Sequence, residues 1–585
     1  MRTDAFSSRA TAWWLGFICL AGLGLRLYGL GYGLPDVHHP DELTILNRAL
    51  TFATGDLNPH LFLYPTLYYY ALFAWEGLCF VAGYVAGAYG SVAAFQHEFF
   101  VDPSHVVLAG RALTAVFGTL TIVAVYRFGA RLYDRTTGLV AAVLLAVAPF
   151  AVRDAHYIKH DVPVTLFIVL AQAAVALVVV DPVAAARRRN WLIAGAFAGL
   201  ALSTHYYAFP VILPIVAAAV IEGQRTRRWP DAFTSLVWAG LASIAAFLAA
   251  SPFFLVEFRT VIRDMTAVRE IDIDRAVSST GAFAYFGAYL RMMATDAIGW
   301  TTCLAAVVGT IAAIAHSRQR AVALLCFPLA FLLFLANTVP MNRYLNAMLP
   351  SIALAAAFAI TWIAARLGPR ASIAAGVLAA AVALPGLLGS VRSDQFFRQA
   401  DTRTLAREFI ERTAAPGSTI LEQPHGVQLR QSRDGLVESL RENLGSEAKA
   451  SFKYRELLAL DPYPSPGYRT LYLGDFSPES RAAGNDPDKI YISPATITAD
   501  TGLAALRAQR VEYVVLKDSA DASQQALRNA LARGATLLAE FSPYRAGTTD
   551  DVRSHVRPFV HNTDARIDAS LERPGPVVRI WRITQ

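Results

Sequence analysis

The chain has 585 residues, of which 55% are hydrophobic and 17% charged, and it carries a net charge of +7. Soluble domains average about 25% charged residues, so this composition excludes an ordinary soluble enzyme and indicates an integral membrane protein. The basic residues cluster in short loops, and no basic stripe with interleaved aromatics points to nucleic acid. The four cysteines all lie in apolar segments, which favours buried small side chains over a disulfide framework or a metal site.

An acidic pair follows directly after the first apolar segment, which covers about 12–33. That segment is long for a signal sequence and no Ala-x-Ala cleavage site follows, so we interpret it as an uncleaved first span. The sequence His38-His39-Pro40-Asp41-Glu42 comes next. Because an Asp in the middle of a bilayer costs about 3 kcal/mol, we expect this pair at the membrane surface, where it can act on a lipid-borne substrate.

Further apolar segments bring the predicted number of spans to about eleven. They cover roughly 106–131, 137–151, 162–180, 190–204, 206–221, 233–250, 298–315, 321–338, 345–365 and 371–389. One more apolar segment, 64–89, opens with an aromatic cluster suited to the interface and contains Glu76. We predict a juxtamembrane or re-entrant helix there, with a pair of very short crossings as the alternative.

Clustered arginines fix the predicted orientation. Groups such as Arg187–Arg189 and Arg225–Arg228 mark one side of the membrane, and the positive-inside rule makes that side cytoplasmic. The loops at 34–63, 152–161, 251–297 and 339–344 and the region around His205 are then external. This predicts a multi-pass protein of the inner (plasma) membrane, with its N-terminus inside and its C-terminal domain extracytoplasmic.

The polar final third predicts a mixed α/β domain. Residues 401–410 have helical spacing, and a strand is expected at 419–421 after Pro416-Gly417. A second helix is expected at 503–509 and a second strand at 512–516. The sequence therefore predicts a polytopic α-helical membrane domain over 1–390 and a soluble α/β domain over 391–585.

Four polar features fall on the predicted external side. They are Asp41-Glu42, the run 153–161 with His156, Lys159 and Asp161, the stretch 203–207 with His205, and Asn342-Arg343-Tyr344. Since all four face one side, they can line one cavity. A carboxylate can take a proton from a hydroxyl, a second one can tune it or help to hold a divalent ion, and an arginine can clamp a phosphate.

These groups suit the attack of a hydroxyl acceptor on a sugar carried by a lipid phosphate. Nucleotide sugars are cytoplasmic, and no Gly-x-Gly-x-x-Gly or Walker loop lies between a strand and a helix. The predicted site is external, so a donor that is dissolved in the membrane and carries the sugar across explains how an activated sugar can reach it. The sequence identifies no cofactor, and whether the carboxylates hold a divalent metal ion stays open.

The pattern resembles the GT-C superfamily of polyprenyl-phosphate-dependent glycosyltransferases, and is similar to protein O-mannosyltransferases and the aminoarabinose transferase of lipid A. The resemblance covers about 10–390. It is carried by the order of five motifs: His39-Pro40-Asp41-Glu42, Tyr64-Pro65-Thr66-Leu67, Arg111, Asp161 before Val162-Pro163, and Arg343-Tyr344.

This resemblance implies roles for individual residues. Asp41 would be the catalytic base, with inversion at the anomeric carbon, and Glu42 and Asp161 would shape the site. Arg343, with Tyr344 and His205, would hold the lipid phosphate, and the substrate cavity would include Tyr64, His156 and Lys159. The sequence departs at Tyr64, where the lipid A enzyme has a lysine, so Lys159, His160 or His205 would supply that contact.

Simpler readings exist for each motif. The acids at 41, 42 and 161 could cap helices, Arg343 could anchor a span, and the histidines at 156 and 160 could form interfacial hydrogen bonds or a metal pair. The charged run 269–275 is expected to be a solvated external loop, with a mobile lid as the alternative. At the level of function, the rivals are a lipid-linked-sugar transporter or flippase and a non-catalytic envelope assembly protein.

Overall fold

The computed structural model describes residues 8–474, 491–518, 524–561 and 566–584. A large helical part comes first and a smaller α/β part follows. The helices of the first part are α1 Ser8–Leu27, α2 Pro40–Thr51, α3 Leu67–Val85, α4 Val92–Val101, α5 Ser104–Leu132, α6 Arg135–Ala146, α7 Pro149–Arg153, α8 Asp161–Val180, α9 Pro182–Ala185, α10 Arg188–Leu202, α11 Ile212–Thr226, α12 Trp229–Ala250, α13 Phe258–Arg269, α14 Arg275–Thr280, α15 Phe286–Met292, α16 Trp300–His316, α17 Arg318–Leu335, α18 Leu349–Ala364 and α19 Ala371–Phe397.

Among the described residues, seven helices are long and apolar enough to cross a membrane, or up to nine if each of two bent pairs counts as one span. This confirms a polytopic helical membrane protein. Every predicted span coincides with a helix, but α10 has only 15 residues and α6 only 12, so the count of eleven is not confirmed. The helix α3 is not one of the seven, and its juxtamembrane course stays a prediction.

Glycines allow two pairs of membrane helices to touch backbone to backbone. A Cβ on Gly195 of α10 would lie 1.9 Å from the Ala239 carbonyl oxygen of α12, and one on Gly199 would lie 2.1 Å from that of Ser243. Gly309 of α16 meets α18 in the same way, 1.8 Å from the Ala355 carbonyl oxygen. Small residues spaced by four are the usual means of close helix packing in lipid, where the hydrophobic effect does not drive helices together.

The smaller part contains a five-stranded sheet. Its strands are β1 Thr419–Glu422, β2 Arg469–Tyr472, β3 Tyr513–Lys517, β4 Ala535–Phe541 and β5 Val578–Ile583, and its helices are α20 Thr402–Thr413, α21 Arg433–Leu444, α22 Phe452–Leu458, α23 Leu503–Ala508, α24 Gln525–Gly534 and α25 Asp550–His555. The strand order is β2-β1-β3-β5-β4, with β2, β1 and β3 parallel and β5 antiparallel to its neighbours. The predicted elements α20, β1, α23 and β3 are confirmed.

Helices cover both faces of this sheet. Ile420 packs with Ala406 and Ile410 of α20, while the next residue, Leu421, packs with Leu506 of α23 on the other face. Successive residues of a strand point to opposite faces, so a mixed sheet between two layers of helices needs apolar residues at both. The boundary predicted between 390 and 391 falls inside α19, and the division into two domains stays a prediction.

The α/β part contacts the loop that leads to the acidic pair. The Arg407 guanidinium lies 3.0 Å from the Asp36 carboxylate. The Gln428 amide donates a 2.7 Å hydrogen bond to the Val37 carbonyl oxygen, and His38 Nε2 lies 3.1 Å from the Thr404 hydroxyl. These three contacts hold consecutive residues of the loop, immediately before α2 begins.

We predict that Gly195→Ala separates α10 from α12 and destabilises the protein, because the added methyl group overlaps a carbonyl oxygen. Overpacking of this kind costs about 1–3 kcal/mol. The matched control is Gly240→Ala on α12, where a Cβ would meet nothing within 4 Å. Thermal unfolding in detergent should show a lower midpoint for the first variant only, and equal midpoints would contradict this packing.

Candidate active site

The acidic pair lies in the first turn of α2. The helix begins at Pro40, whose fixed φ suits a first helical position, and the His39 ring caps it by accepting a 3.1 Å hydrogen bond from the Asp41 backbone N–H. Successive residues of a helix are rotated by about 100°, so the side chains of Asp41 and Glu42 point in different directions. The capping geometry therefore separates the two carboxylates.

Glu42 is fully buried in an ion pair with Arg111 of α5. The guanidinium donates to both carboxylate oxygens at 2.9 and 2.8 Å, and the side chains of both residues are 0% exposed. Arg111 also donates to the backbone carbonyls of Leu30 and Tyr32, at 2.8 and 2.7 Å, and the Ile158 N–H donates to Glu42 at 3.0 Å. This network joins α2, α5, the end of the first span and the 152–161 loop.

Asp41 forms an ion pair with Lys159, with the ammonium nitrogen 2.5 Å from a carboxylate oxygen. The Lys159 side chain is 2% exposed, whereas that of Asp41 is 36% exposed. Burial alone would raise the pKa of Asp41, but the charges of Lys159 and Arg343 outweigh it and hold the pKa well below its usual value. Asp41 is therefore an ionised and partly solvent-exposed carboxylate.

Arg343 lies on a short 3₁₀ turn, Asn342–Ala347, next to the first residue of α8. Its Nε is 3.8 Å from the Asp161 carboxylate, which also accepts a 3.3 Å hydrogen bond from the Tyr207 hydroxyl. Tyr344 donates a 2.8 Å hydrogen bond to Asp272. The structure thus brings together residues from all four predicted external features.

Two residues of this site were missed by the sequence reasoning. Tyr207 lies two positions after His205, within a stretch that had been singled out, but nothing in the spacing indicated that its hydroxyl contacts Asp161. Asp272 belongs to the run 269–275, which was expected to be solvated. Most of that run is exposed, yet Asp272 is only partly exposed and holds Tyr344.

Aromatic rings form one side of the site. Tyr64 stacks on His160 with 4.2 Å between ring centroids, and it meets His205 edge-on at 5.1 Å. His205 in turn stacks on Tyr207 at 3.7 Å. Burial and the negative charge of Asp41 raise the pKa of the Tyr64 hydroxyl well above its usual value, so this hydroxyl stays protonated.

His156 does not join this group. Its Nε2 lies 2.9 Å from the Tyr28 carbonyl oxygen and 3.7 Å from the Asp394 carboxylate, whereas His160 stacks on Tyr64. The two histidines therefore have different neighbours and do not converge on one point. In the described ranges of the chain, no group of three His, Cys, Asp or Glu side chains is arranged to hold a metal ion.

The chain is similar in sequence to one family and in fold to several solved structures. The family model of dolichyl-phosphate-mannose-protein mannosyltransferases matches residues 92–255. ArnT from Cupriavidus metallidurans, solved with undecaprenyl phosphate, is 15% identical and has a TM-score of 0.53, with 91% of this chain and 96% of that chain covered. The apo form of ArnT gives a TM-score of 0.52 at 14% identity, with 91% and 97% covered.

The oligosaccharyltransferase of Archaeoglobus fulgidus is 15% identical, with a TM-score of 0.47 and coverage of 86% of this chain and 68% of that chain. No curated protein matches the chain by sequence. The family match and the fold shared with ArnT indicate a multi-pass membrane glycosyltransferase of the GT-C type. This confirms the predicted resemblance, the fold class and the prediction of an enzyme.

We predict that Glu42→Gln destabilises the protein by about 3–5 kcal/mol, because it leaves the Arg111 guanidinium buried without its counter-charge. The control is Glu98→Gln, whose partner His105 is exposed, and for which the loss should be under about 1 kcal/mol. Thermal unfolding of the two variants in detergent measures the difference. If Glu42→Gln unfolds like wild type, the ion pair does not carry the structural role assigned to it.

Proposed function

We propose that this protein transfers a sugar from a polyprenyl-phosphate donor to a hydroxyl acceptor, with Asp41 as the base. The observation that carries the proposal is the accessibility of Asp41. Its side chain is 36% exposed, whereas those of the neighbouring charged residues Lys159 and Arg343 are 2% and 8% exposed. Asp41 is thus the carboxylate of this cluster that an acceptor hydroxyl can approach.

The donor phosphate is assigned to the cations beside Asp41. Lys159 and Arg343 come from different loops and both act electrostatically on Asp41. A phosphate between them would receive a point charge from the ammonium and paired hydrogen bonds from the guanidinium. Undecaprenyl phosphate is the molecule held by ArnT, whose fold this chain shares, and this supports a polyprenyl carrier. Lys159 then supplies the charge that Tyr64 cannot.

Binding of the donor would also prepare the base. In the structure Lys159 lies 2.5 Å from Asp41, which keeps the carboxylate ionised but weakly basic. A phosphate that attracts the ammonium loosens this ion pair and raises the basicity of Asp41. Asp41 then takes the proton of the acceptor hydroxyl, the hydroxyl oxygen attacks the anomeric carbon, and the lipid phosphate leaves from the opposite face, which inverts the configuration.

The remaining predicted residues take supporting roles in this proposal. Glu42 positions α2 through Arg111, and Asp161 orients Arg343 and Tyr207. Tyr344 is fixed by Asp272, and Tyr64 and His205 provide the aromatic side of the substrate cavity. His156 contributes packing behind the site.

We predict that Asp41→Asn abolishes transfer, since removal of a general base lowers turnover by about 10²–10⁴-fold. The sugar need not be known in advance. Cells that lack the gene are complemented with wild type, Asp41→Asn or Asp56→Asn, and their envelope glycolipids and glycoproteins are compared by mass spectrometry. Asp56 is an exposed carboxylate in the same loop and serves as the control.

The expected pattern is a sugar modification that wild type and Asp56→Asn restore and Asp41→Asn does not. Size-exclusion chromatography in detergent must show folded protein for all three, because Asp41→Asn also removes the counter-charge of Lys159. Full restoration by folded Asp41→Asn would rule out Asp41 as the base.

We place the site on the extracytoplasmic side, from the arginine clusters in the other loops. Asp56→Cys lies in the loop that carries Asp41, and Arg228→Cys lies in a loop predicted to be cytoplasmic; both positions are exposed. We predict that a membrane-impermeant maleimide labels the first variant in intact cells and the second only after permeabilisation. The opposite pattern would reverse the orientation.

A further inference from the structure

A second cavity, of about 300 Å³, lies where the α/β part meets the membrane part. On the membrane side it is lined by Leu43 and Asn47 of α2 and by residues 99–101 at the end of α4. Leu43 and Asn47 lie about 200° and 240° around the helix from Asp41, so the cavity is on the far side of α2 from the proposed catalytic base. None of Asp41, Lys159 and Arg343 lines it.

This cavity lies at the level where a membrane span ends. Pro103, one of its lining residues, directly precedes the span α5, Ser104–Leu132. The preceding helix α4, Val92–Val101, is largely apolar, and none of its residues is buried in the protein. An apolar helix that is only partly covered by protein and lies beside the start of a span belongs in the interfacial layer of a bilayer. The cavity is therefore next to lipid headgroups.

Its charges leave two cations without a counter-charge. Arg407 is paired with Asp36 at 3.0 Å and with Glu411 at 2.9 Å, so these two carboxylates share one guanidinium and the charged lining of the cavity is net positive by one. Arg430 donates a 3.0 Å hydrogen bond to the Val101 carbonyl oxygen, and the Lys453 ammonium lies 5.6 Å from the ring centroid of Tyr454. In the described part of the chain, no carboxylate forms an ion pair with either Arg430 or Lys453.

A partly dehydrated cation without a counter-charge favours an anionic ligand. Burial lowers the pKa of the Lys453 ammonium, which is the cost of keeping this charge in the cavity without a partner. The lining of the cavity also contains the apolar side chains of Phe99, Phe100 and Leu457. A lining that combines cations with apolar side chains matches a headgroup joined to a hydrocarbon chain.

We propose that this cavity binds the phosphate-bearing headgroup of an acidic membrane lipid, with Arg430 and Lys453 as its cations. The lipid would join α2, the end of α4 and the α/β part, which all line the cavity. Its phosphate would contact the cations of the α/β part, and its hydrocarbon chain would lie beside α4. This site is separate from the donor phosphate site, and the proposal does not depend on the proposed sugar transfer.

The test uses the purified full chain in a neutral detergent. Short-chain phosphatidylglycerol, short-chain phosphatidylcholine and inorganic phosphate are titrated separately, and the shift of the thermal midpoint is followed. We expect that, of these three ligands, only phosphatidylglycerol raises the thermal midpoint. Lys453→Gln should weaken its apparent affinity about tenfold, as expected for the loss of one charged hydrogen bond, and Arg430→Gln combined with Lys453→Gln should abolish the shift.

The matched control is Lys449→Gln combined with Arg455→Gln. Both residues are exposed, lie close to Lys453 in sequence and do not line the cavity, and this pair changes the net charge by the same amount. The control should keep the wild-type response. Lys453→Gln alone removes no described hydrogen bond, so it remains informative if the double variant is unstable.

Three outcomes would overturn the proposal. An equal shift with phosphatidylcholine would show that the site does not distinguish an anionic headgroup from a zwitterionic one. An unchanged apparent affinity for phosphatidylglycerol in the folded Lys453→Gln variant would remove Lys453 from the site. Stabilisation by inorganic phosphate at the same concentration would reassign the cavity to a soluble anion. Each of these results leaves the Asp41 experiment unaffected.

Discussion

The buried ion pair between Glu42 and Arg111 is the interaction on which the arrangement of the site depends. Two opposite charges without solvent contact persist only where both are fully hydrogen-bonded, and here every oxygen of the carboxylate accepts from the guanidinium or a backbone N–H. Because the same guanidinium also binds the carbonyl oxygens of Leu30 and Tyr32, it ties α2 to the end of the first span.

The helical geometry gives the two residues of the acidic pair different surroundings. One carboxylate is used to fix the helix, and its neighbour points elsewhere, partly exposed and paired with Lys159. Rigid support behind an accessible reactive group is what positions a base against its substrate. In the proposed mechanism a second exposed carboxylate beside Asp41 would repel the donor phosphate, so the burial of Glu42 is compatible with a site built around two cations.

Much of this could be predicted from the sequence, and the reasons are physical. Long apolar runs predict spans because a bilayer demands about 20 apolar residues, and the helices appear where the runs were found. The count was less secure, since α10 with 15 residues and the bent pair α6–α7 do not meet a simple length criterion. The association of Asp41, Lys159 and Arg343 was predicted from their common side of the membrane. The contacts of Asp272 and Tyr207 depend on tertiary packing that periodicity does not encode.

The contacts between the α/β part and residues 36–38 limit how chimeras of such proteins can be built. Asp36 and Arg407 are separated by 371 positions, yet they act as one fastening for the segment that leads into α2. A chimera in which only the α/β part is replaced by that of a relative keeps Asp36 and loses Arg407. The segment around Asp36 and the helix α20 therefore have to be taken from the same protein, so that the contact that positions the start of α2 is kept.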